Sequence, residues 1–225
     1  MDIIMKHFHE GGFMMYPILL LGLVILAIIL ERTYVLFIKA NVDRDKFVET
    51  AQKNLLAGNI QSVIGLCDSK EAPLTKIVKN GLIKIINKGT QLDIQASIDE
   101  AALREIPLLE KRTGFLAMLG NSSTLLGLLG TITGLITSFA GVAAADPATK
   151  ATMLANGISE AMNCTAFGLI VAIPALIAYA VLQEKTQKLI NDINEVTVTM
   201  LNFISFHKDK FMAPNEQGKN VVGIK

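Results

Sequence analysis

Three long apolar stretches constrain this chain more than any other feature of its 225 residues. They cover residues 13–38, 113–142 and 158–182. A helix needs about 20 apolar residues to cross the hydrocarbon of a bilayer, and it satisfies its own backbone hydrogen bonds there. Each stretch is long enough, so we predict an all-α integral membrane protein with three transmembrane helices.

The composition excludes several classes of function. Hydrophobic residues make up 51% of the chain and charged residues 18%, so lipid is expected to be part of its solvent. The net charge is +1 and the basic residues do not cluster with aromatic ones, so we expect no nucleic-acid partner. Cys67 lies in a polar region and Cys164 lies in an apolar run, so the two cysteines are expected to stay unpaired.

No catalytic motif is present, so we expect no enzyme activity, no cofactor and no metal.

Polar segments separate and flank the three spans. Gly58-Asn59 and Ala72-Pro73 predict two or three short helices after the first span, before a long helix from Asp93. Pro107 can kink that helix, which can run directly into the second span. The predicted polar segments are a short amphipathic stretch at 1–12, a water-facing helical domain at 39–112, a loop at 143–157, and a helix with a flexible tail at 183–225.

Basic residues predict the orientation of the chain in the membrane. Residues 39–112 contain twelve Lys or Arg and the segment after Leu182 contains six, whereas residues 1–12 and 143–157 contain one each. Cytoplasmic segments carry the excess of Lys and Arg. We therefore predict that the amino terminus and the short loop face outward and that the carboxyl terminus is cytoplasmic.

Glu31 and Arg32 interrupt the end of the first span. Long charged side chains near a helix end can reach the headgroups, or they can meet a neighbouring segment. Anchoring at the headgroups is the favoured interpretation.

Small residues recur every three or four positions along the second and third spans. Such stripes let helices approach closely in lipid, so taken alone they favour a tightly packed bundle with no transport role. The predicted packing residues are Gly127, Gly130 and Gly134 in the second span and Gly157, Ala161, Gly168 and Ala172 in the third.

Polar residues inside the spans point to transport. A carboxylate in a membrane costs a few kcal/mol, so Glu160 is expected to face water or a polar partner such as Asn163. The alternative is that the third helix starts late and Glu160 is merely interfacial. Counting from the flanking basic residues puts Thr131 and Thr165 at the same depth, with Glu160 about 7 to 8 Å further out.

Three longer motifs resemble the MotA/TolQ/ExbB proton-channel family, and most closely its ExbB and TolQ branch. They are Gly11-Gly12-Phe-Met-Met-Tyr-Pro-Ile, Gly127-Leu-Leu-Gly-Thr-Ile-Thr-Gly-Leu-Ile, and Gly157-Ile-Ser-Glu-Ala-Met-Asn-Cys-Thr-Ala-Phe-Gly-Leu-Ile-Val-Ala-Ile-Pro-Ala. The similarity runs in order through the whole chain.

The resemblance implies a homopentameric ring in the bacterial inner membrane around a dimer of a single-span partner similar to ExbD or TolR. The partner's aspartate would carry the proton, and a TonB-like or TolA-like protein would receive the work. Thr131 and Thr165 would line the path and face that aspartate, with Glu160 as the acidic position of the ring.

Two departures from the family pattern leave other interpretations open. Asn163 and Cys164 stand where an apolar pair is common, and Thr133 stands where some members have Trp. The added polarity keeps sodium as a less favoured alternative to the proton. A membrane scaffold that conducts no ions is the other alternative.

Overall fold

The computed structural model describes residues 12–207, and every regular element there is helical, as predicted. Residues 1–11 of the predicted amphipathic stretch and the predicted tail after Phe211 lie outside the described residues. Within residues 12–207, three helical stretches are long and apolar enough to cross a membrane, which agrees with the predicted number. The elements are α1 (Met15–Thr33), a π-helical segment (Tyr34–Lys39), α2 (Arg44–Leu56), α3 (Ile60–Asp68), α4 (Pro73–Ile86), α5 (Gln91–Glu110), α6 (Thr113–Ala144) and α7 (Lys150–Phe206).

The third long helix, α7, begins at Lys150, eight residues before the predicted third span. The Asp146 carbonyl accepts the backbone N–H groups of Thr149 at 2.9 Å and Lys150 at 3.2 Å, which forms the turn that leads into the helix. The segment between α6 and α7 therefore comprises only residues 145–149. Glu160 lies ten residues into α7, about 15 Å from its start, so the alternative of a late helix start is wrong.

The second long helix does not continue directly from the preceding one. α5 contains Pro107 and ends at Glu110, and Arg112 has a positive φ of 66°. A proline removes a backbone donor from the helix, and a positive φ costs a non-glycine residue about 1 to 2 kcal/mol. The interruption between α5 and α6 therefore costs free energy, which other contacts must offset.

Glu31 and Arg32, at the end of α1, supply those contacts. The buried Arg32 side chain donates to the Lys111 carbonyl, one of the carbonyl groups left unpaired where α5 ends. Arg112 Nη1 donates to Glu31 Oε2 at 2.6 Å. The charged pair thus meets a neighbouring segment, which was the less favoured interpretation of the sequence.

The described residues form two compact units. The first comprises residues 12–34 and Glu110–Glu184, and the second comprises Val35–Leu109 and 185–207. In the first unit, α1 packs against α6. Met15, Ile18 and Cys164 form its buried apolar cluster, against which side chains of α6 and α7 pack.

The second unit is built from short amphipathic helices, with α3 packed against both α2 and α4. A side chain caps the amino-terminal end of both α2 and α3. The Asp43 carboxylate accepts from the N–H of Lys46, and the Asn59 side chain accepts from the N–H of Ser62. The Lys46 side chain and N–H hold the pKa of Asp43 below its usual value. The buried apolar side chains of this unit include Val63, Ile77, Val78, Leu82 and Ile85.

Cys67, in α3, is expected to react slowly with alkylating reagents. It is 3% exposed, and burial, together with the charge of Asp68, raises the pKa of its thiol to about 11. Because the thiolate is the reactive form, alkylation at pH 8 should be about a hundredfold slower than in the unfolded chain and should accelerate as the pH rises towards 11. The measurement is iodoacetamide labelling of the Cys67 peptide by mass spectrometry. Equal rates in folded and detergent-denatured protein would contradict the prediction.

Candidate functional site

The backbones of α6 and α7 come into direct contact at Gly127 and Gly168. A Cβ placed on Gly168 would lie 2.8 Å from the Ser123 carbonyl oxygen and 3.1 Å from the Gly127 Cα. Two hydrogen bonds cross this contact in opposite directions. Ser123 donates to the Gly168 carbonyl at 3.2 Å, and Thr165 donates to the Gly127 carbonyl at 3.0 Å. Each such bond in a membrane is worth about 0.6 kcal/mol, and both require that the two backbones touch.

The other small residues of the two stripes continue the same contact. A Cβ at Gly134 would lie 3.1 Å from the Cβ of Ala161. A Cβ placed on Gly130 would overlap the Cys164 sulfur, and a Cβ placed on Gly157 would overlap the Ser138 hydroxyl. Ala161 and Ala172 are both buried. The structure thus places all seven predicted packing residues within the first unit, in positions that admit little or no larger side chain.

This antiparallel contact fixes the relative depth of the predicted polar residues. Because Gly130 faces Cys164 and Gly134 faces Ala161, Thr131 lies level with Cys164, about one residue from Thr165. Glu160 lies level with the helical turn of α6 that follows Gly134. At about 1.5 Å per residue, Thr131 and Thr165 occupy one layer and Glu160 lies about 6 to 8 Å nearer to the α6–α7 turn.

Both threonine hydroxyls in this layer use their proton on a backbone carbonyl. Thr131 donates to the Leu128 carbonyl of its own helix at 2.6 Å, and Thr165 donates across to Gly127. Both residues are half-buried. A hydroxyl has one donor and two acceptor lone pairs, so what Thr131 and Thr165 still offer is acceptor capacity.

Glu160 is exposed and lies against the segment that leads into α1. A Cβ placed on Gly12 would overlap the Glu160 carboxylate oxygen Oε1. Gly12 also has a φ of +71°, a conformation that favours glycine. The carboxylate therefore occupies the space that any side chain at position 12 would need.

A cavity of about 280 Å³ opens beside this carboxylate. Its polar lining comes from Glu160 on α7 and from Thr133 and Thr137 on α6. Gly130 and Gly134 and residues 12–14 complete the wall. The structure thus gathers Glu160 with α6 hydroxyls and with the start of α1.

Asn163 does not join Glu160. The Nδ2 group of Asn163 is buried and has no hydrogen-bond partner within residues 12–207. The hydrogen bond expected between these two side chains is not formed there, because Asn163 points its amide into the protein whereas Glu160 is exposed.

Sequence reasoning missed the residues that surround Glu160. Thr133 attracted notice only as a departure from the family pattern, and Thr137 and Gly12 were given no role in the site. The signal for Thr137 was its spacing of one helical turn from Thr133, which places both on one face. Pairing that face with Glu160 required the α6–α7 register, which only the packed structure supplies.

Comparison with known proteins identifies the family. Residues 69–195, more than half of the chain, match the model of the MotA/TolQ/ExbB proton channel family. The chain is 28% identical over 188 residues to the biopolymer transport protein ExbB-like 3 of Synechocystis sp., covering 78% of this chain and 88% of that protein.

Two further relatives are similar over shorter regions. The Tol-Pal system protein TolQ of Pseudomonas aeruginosa is 46% identical over 90 residues, covering 40% of this chain and 38% of TolQ. The biopolymer transport protein ExbB of Pseudomonas putida is 34% identical over 93 residues, covering 41% of this chain and 28% of that protein. In these two matches the chain spans well under half of the relative's length. The matched region includes α6 and most of α7, and this chain belongs to the MotA/TolQ/ExbB proton channel family, on its ExbB and TolQ side.

Proposed function

We propose that this chain is the ring-forming channel subunit of a proton-driven motor in the bacterial inner membrane. Five copies surround a dimer of an ExbD-like or TolR-like single-span protein. Proton passage then drives movement of that partner, and a TonB-like or TolA-like protein carries the work to the cell envelope. The excess of Lys and Arg in 39–112 and after Leu182 supports an outward amino terminus and a cytoplasmic carboxyl terminus.

The observation that carries this proposal is the layer formed by Thr131 and Thr165. Both hydroxyls donate their protons to backbone carbonyls. Towards other groups, their oxygens can therefore act only as hydrogen-bond acceptors. A protonated aspartic acid of the partner can donate to such a layer, whereas an ionised aspartate cannot. The layer therefore favours the partner's acid in the form that has just taken up a proton.

The surroundings of the layer support a membrane ring. Large apolar side chains on α6 and α7 are exposed in the single chain, including Leu125, Ile132, Ile136, Ile170 and Ile177. Exposed apolar side chains of this density need lipid or other helices around them. The small stripes are already used between α6 and α7, which leaves these larger side chains for lipid, neighbouring subunits and the partner.

Proton flux into liposomes that contain this chain and its single-span partner tests the proposal. Thr131→Val and Thr165→Val keep the side-chain shape but remove the hydroxyl acceptor. Each is expected to lower partner-dependent flux by about tenfold, because a lost hydrogen bond to a transferring group is worth about 1 kcal/mol or more. Thr165→Ser keeps the hydroxyl and should retain most of the flux.

Ser122→Ala is the matched control on α6. Its hydroxyl also donates to its own helix, to the Met118 carbonyl at 2.8 Å, but it lies nine residues before Thr131 and so on the opposite face. This variant should conduct as the native complex does. A complex that carries sodium instead of protons would change the ion in the proposal. A native complex that carries no ions would favour the non-conducting scaffold, and normal flux in both valine variants would favour a different ion path.

A further inference from the structure

Asn121, on α6, has hydrogen-bonding groups that the single chain does not use. Every serine and threonine of α6 between positions 122 and 138 donates its hydroxyl proton to a backbone carbonyl. Asn121 is exposed, and within residues 12–207 its amide makes no hydrogen bond. A side-chain amide offers two N–H donors and a carbonyl acceptor. Each of these groups costs several kcal/mol if it is left in hydrocarbon, so the amide requires water or a polar group of another chain.

The depth of Asn121 places its amide within the hydrocarbon. α6 is 32 residues long, or about 48 Å, which is enough to cross a bilayer together with both of its headgroup layers. Asn121 lies eight residues after the start of α6 at Thr113, which corresponds to about 12 Å along the helix. A headgroup layer is only about 5 to 8 Å thick. The amide therefore lies deeper than the headgroups.

Asn121 and Thr131 lie on the same side of α6. Thr124 lies about 10 Å from Thr131 along the helix and about 20° around it, and Asn121 lies about 15 Å along and about 80° around. Thr124 is half-buried, and its hydroxyl donates to the Gly120 carbonyl. Polar side chains thus continue on this side from the Thr131–Thr165 layer towards the amino-terminal end of α6.

The two halves of this side of α6 differ in the size of their side chains. On the carboxyl-terminal side of Thr131, it presents the large apolar residues Leu135, Phe139 and Val142. On the amino-terminal side, apart from Leu128, it presents small or polar residues, namely Thr124, Asn121, Ala117 and Gly114. A Cβ placed on Gly114 would meet nothing within 4 Å. The amino-terminal half therefore leaves room for water, whereas the carboxyl-terminal half is filled by apolar side chains.

We propose that Asn121 positions the water molecules through which the proton leaves the Thr131–Thr165 layer towards the cytoplasmic, amino-terminal end of α6. This inference rests on the proposed function and deepens it, because it assigns the exit of the proton. The hydroxyls of the layer can only accept hydrogen bonds, whereas the Asn121 amide both donates and accepts, so it can orient water that takes up a proton and passes one on. The partner's carboxylic acid gives its proton to the first water and becomes a carboxylate, and the last water releases a proton to the cytoplasm.

Cysteine accessibility tests the exit without relying on flux. Asn121→Cys and Met118→Cys are compared in the full chain with its partner in liposomes, with a charged methanethiosulfonate reagent on both faces of the membrane. Met118 is 52% exposed and lies about 4 to 5 Å nearer to the end of α6, but about 60° further around the helix from Thr131. The thiolate is the reactive form and needs water, so Asn121→Cys should be labelled about tenfold faster although it lies deeper.

Peptide mass spectrometry separates the labelled position from Cys67 and Cys164, which are both buried. Labelling of Asn121→Cys that is no faster than that of Met118→Cys would mean that no water reaches position 121, and would overturn the exit.

Proton flux in the same liposomes tests the role of the amide. Asn121→Leu should lower partner-dependent flux about tenfold, because the water loses its donor and acceptor. Asn121→Ser keeps one donor and one acceptor and should retain most of the flux, and Met118→Leu should conduct as the native complex does. An Asn121→Leu chain that no longer co-purifies with its partner would mean that the amide binds another chain, and would overturn the exit. Normal flux in Asn121→Leu overturns the exit alone, whereas a native complex that carries no protons overturns the proposed function.

Discussion

Gly168→Ala is expected to lower the free energy of unfolding of the first unit by about 1 to 3 kcal/mol, although alanine is the better helix former. The added methyl would lie 2.8 Å from the Ser123 carbonyl oxygen and 3.1 Å from the Gly127 Cα, which are backbone atoms that cannot rotate away. The two helices must therefore separate, and the crossing hydrogen bonds of Ser123 and Thr165 lengthen with them. The measurement is thermal unfolding of the detergent-purified protein, followed by circular dichroism.

Gly114→Ala provides the matched control for this prediction. Gly114 also lies in α6, but nothing would lie within 4 Å of a Cβ there. Alanine should therefore stabilise the helix by a few tenths of a kcal/mol and up to about 1 kcal/mol. The two substitutions should shift the unfolding temperature in opposite directions. A stabilising effect of Gly168→Ala would mean that α6 and α7 do not touch at this point.

Gly12→Ala is expected to have the second large effect, on both stability and transport. The φ of +71° costs an alanine about 1 to 2 kcal/mol, and the new methyl would also overlap the Glu160 carboxylate. The carboxylate must then leave its place at the start of α1. We expect lower stability and a loss of most partner-dependent proton flux, measured in the liposome assay.

Gly58→Ala separates the cost of the positive φ from the effect of the overlap with Glu160. Gly58 has a φ of +76° in the second unit, and nothing would lie within 4 Å of a Cβ there. It should show the backbone cost of about 1 to 2 kcal/mol with normal flux. If Gly12→Ala lowers stability by no more than Gly58→Ala and conducts normally, the contact between position 12 and Glu160 has no role in transport.

The sequence predicts the three spans and the helical character of the rest because hydropathy and spacing are local signals. It did not predict where α7 begins, since the carbonyl of Asp146 nucleates a helix within a segment that is too polar to count as a span. The interruption at Lys111 and Arg112 was also missed. It depends on Glu31 and Arg32, which are distant in sequence, and on a positive φ that no residue preference for arginine indicates.

The candidate site was predictable to a lesser extent. Thr131, Thr165 and Glu160 were singled out because polar residues are costly in lipid, and simple counting gave their relative depth. The partners of those side chains depend on the packed register of α6 and α7. Thr137 therefore joins Glu160 at the cavity, whereas Asn163, a closer neighbour in sequence, does not.

The contact between Gly12 and Glu160 also has an evolutionary consequence. The two positions share a single volume, because the carboxylate fills the space where a side chain at 12 would lie. Substitutions at the two positions should therefore show epistasis: a relative with a larger residue at 12 must shorten or redirect the acid at 160. Among relatives with this geometry, glycine at the first position and glutamate at the second are expected to be inherited as a pair.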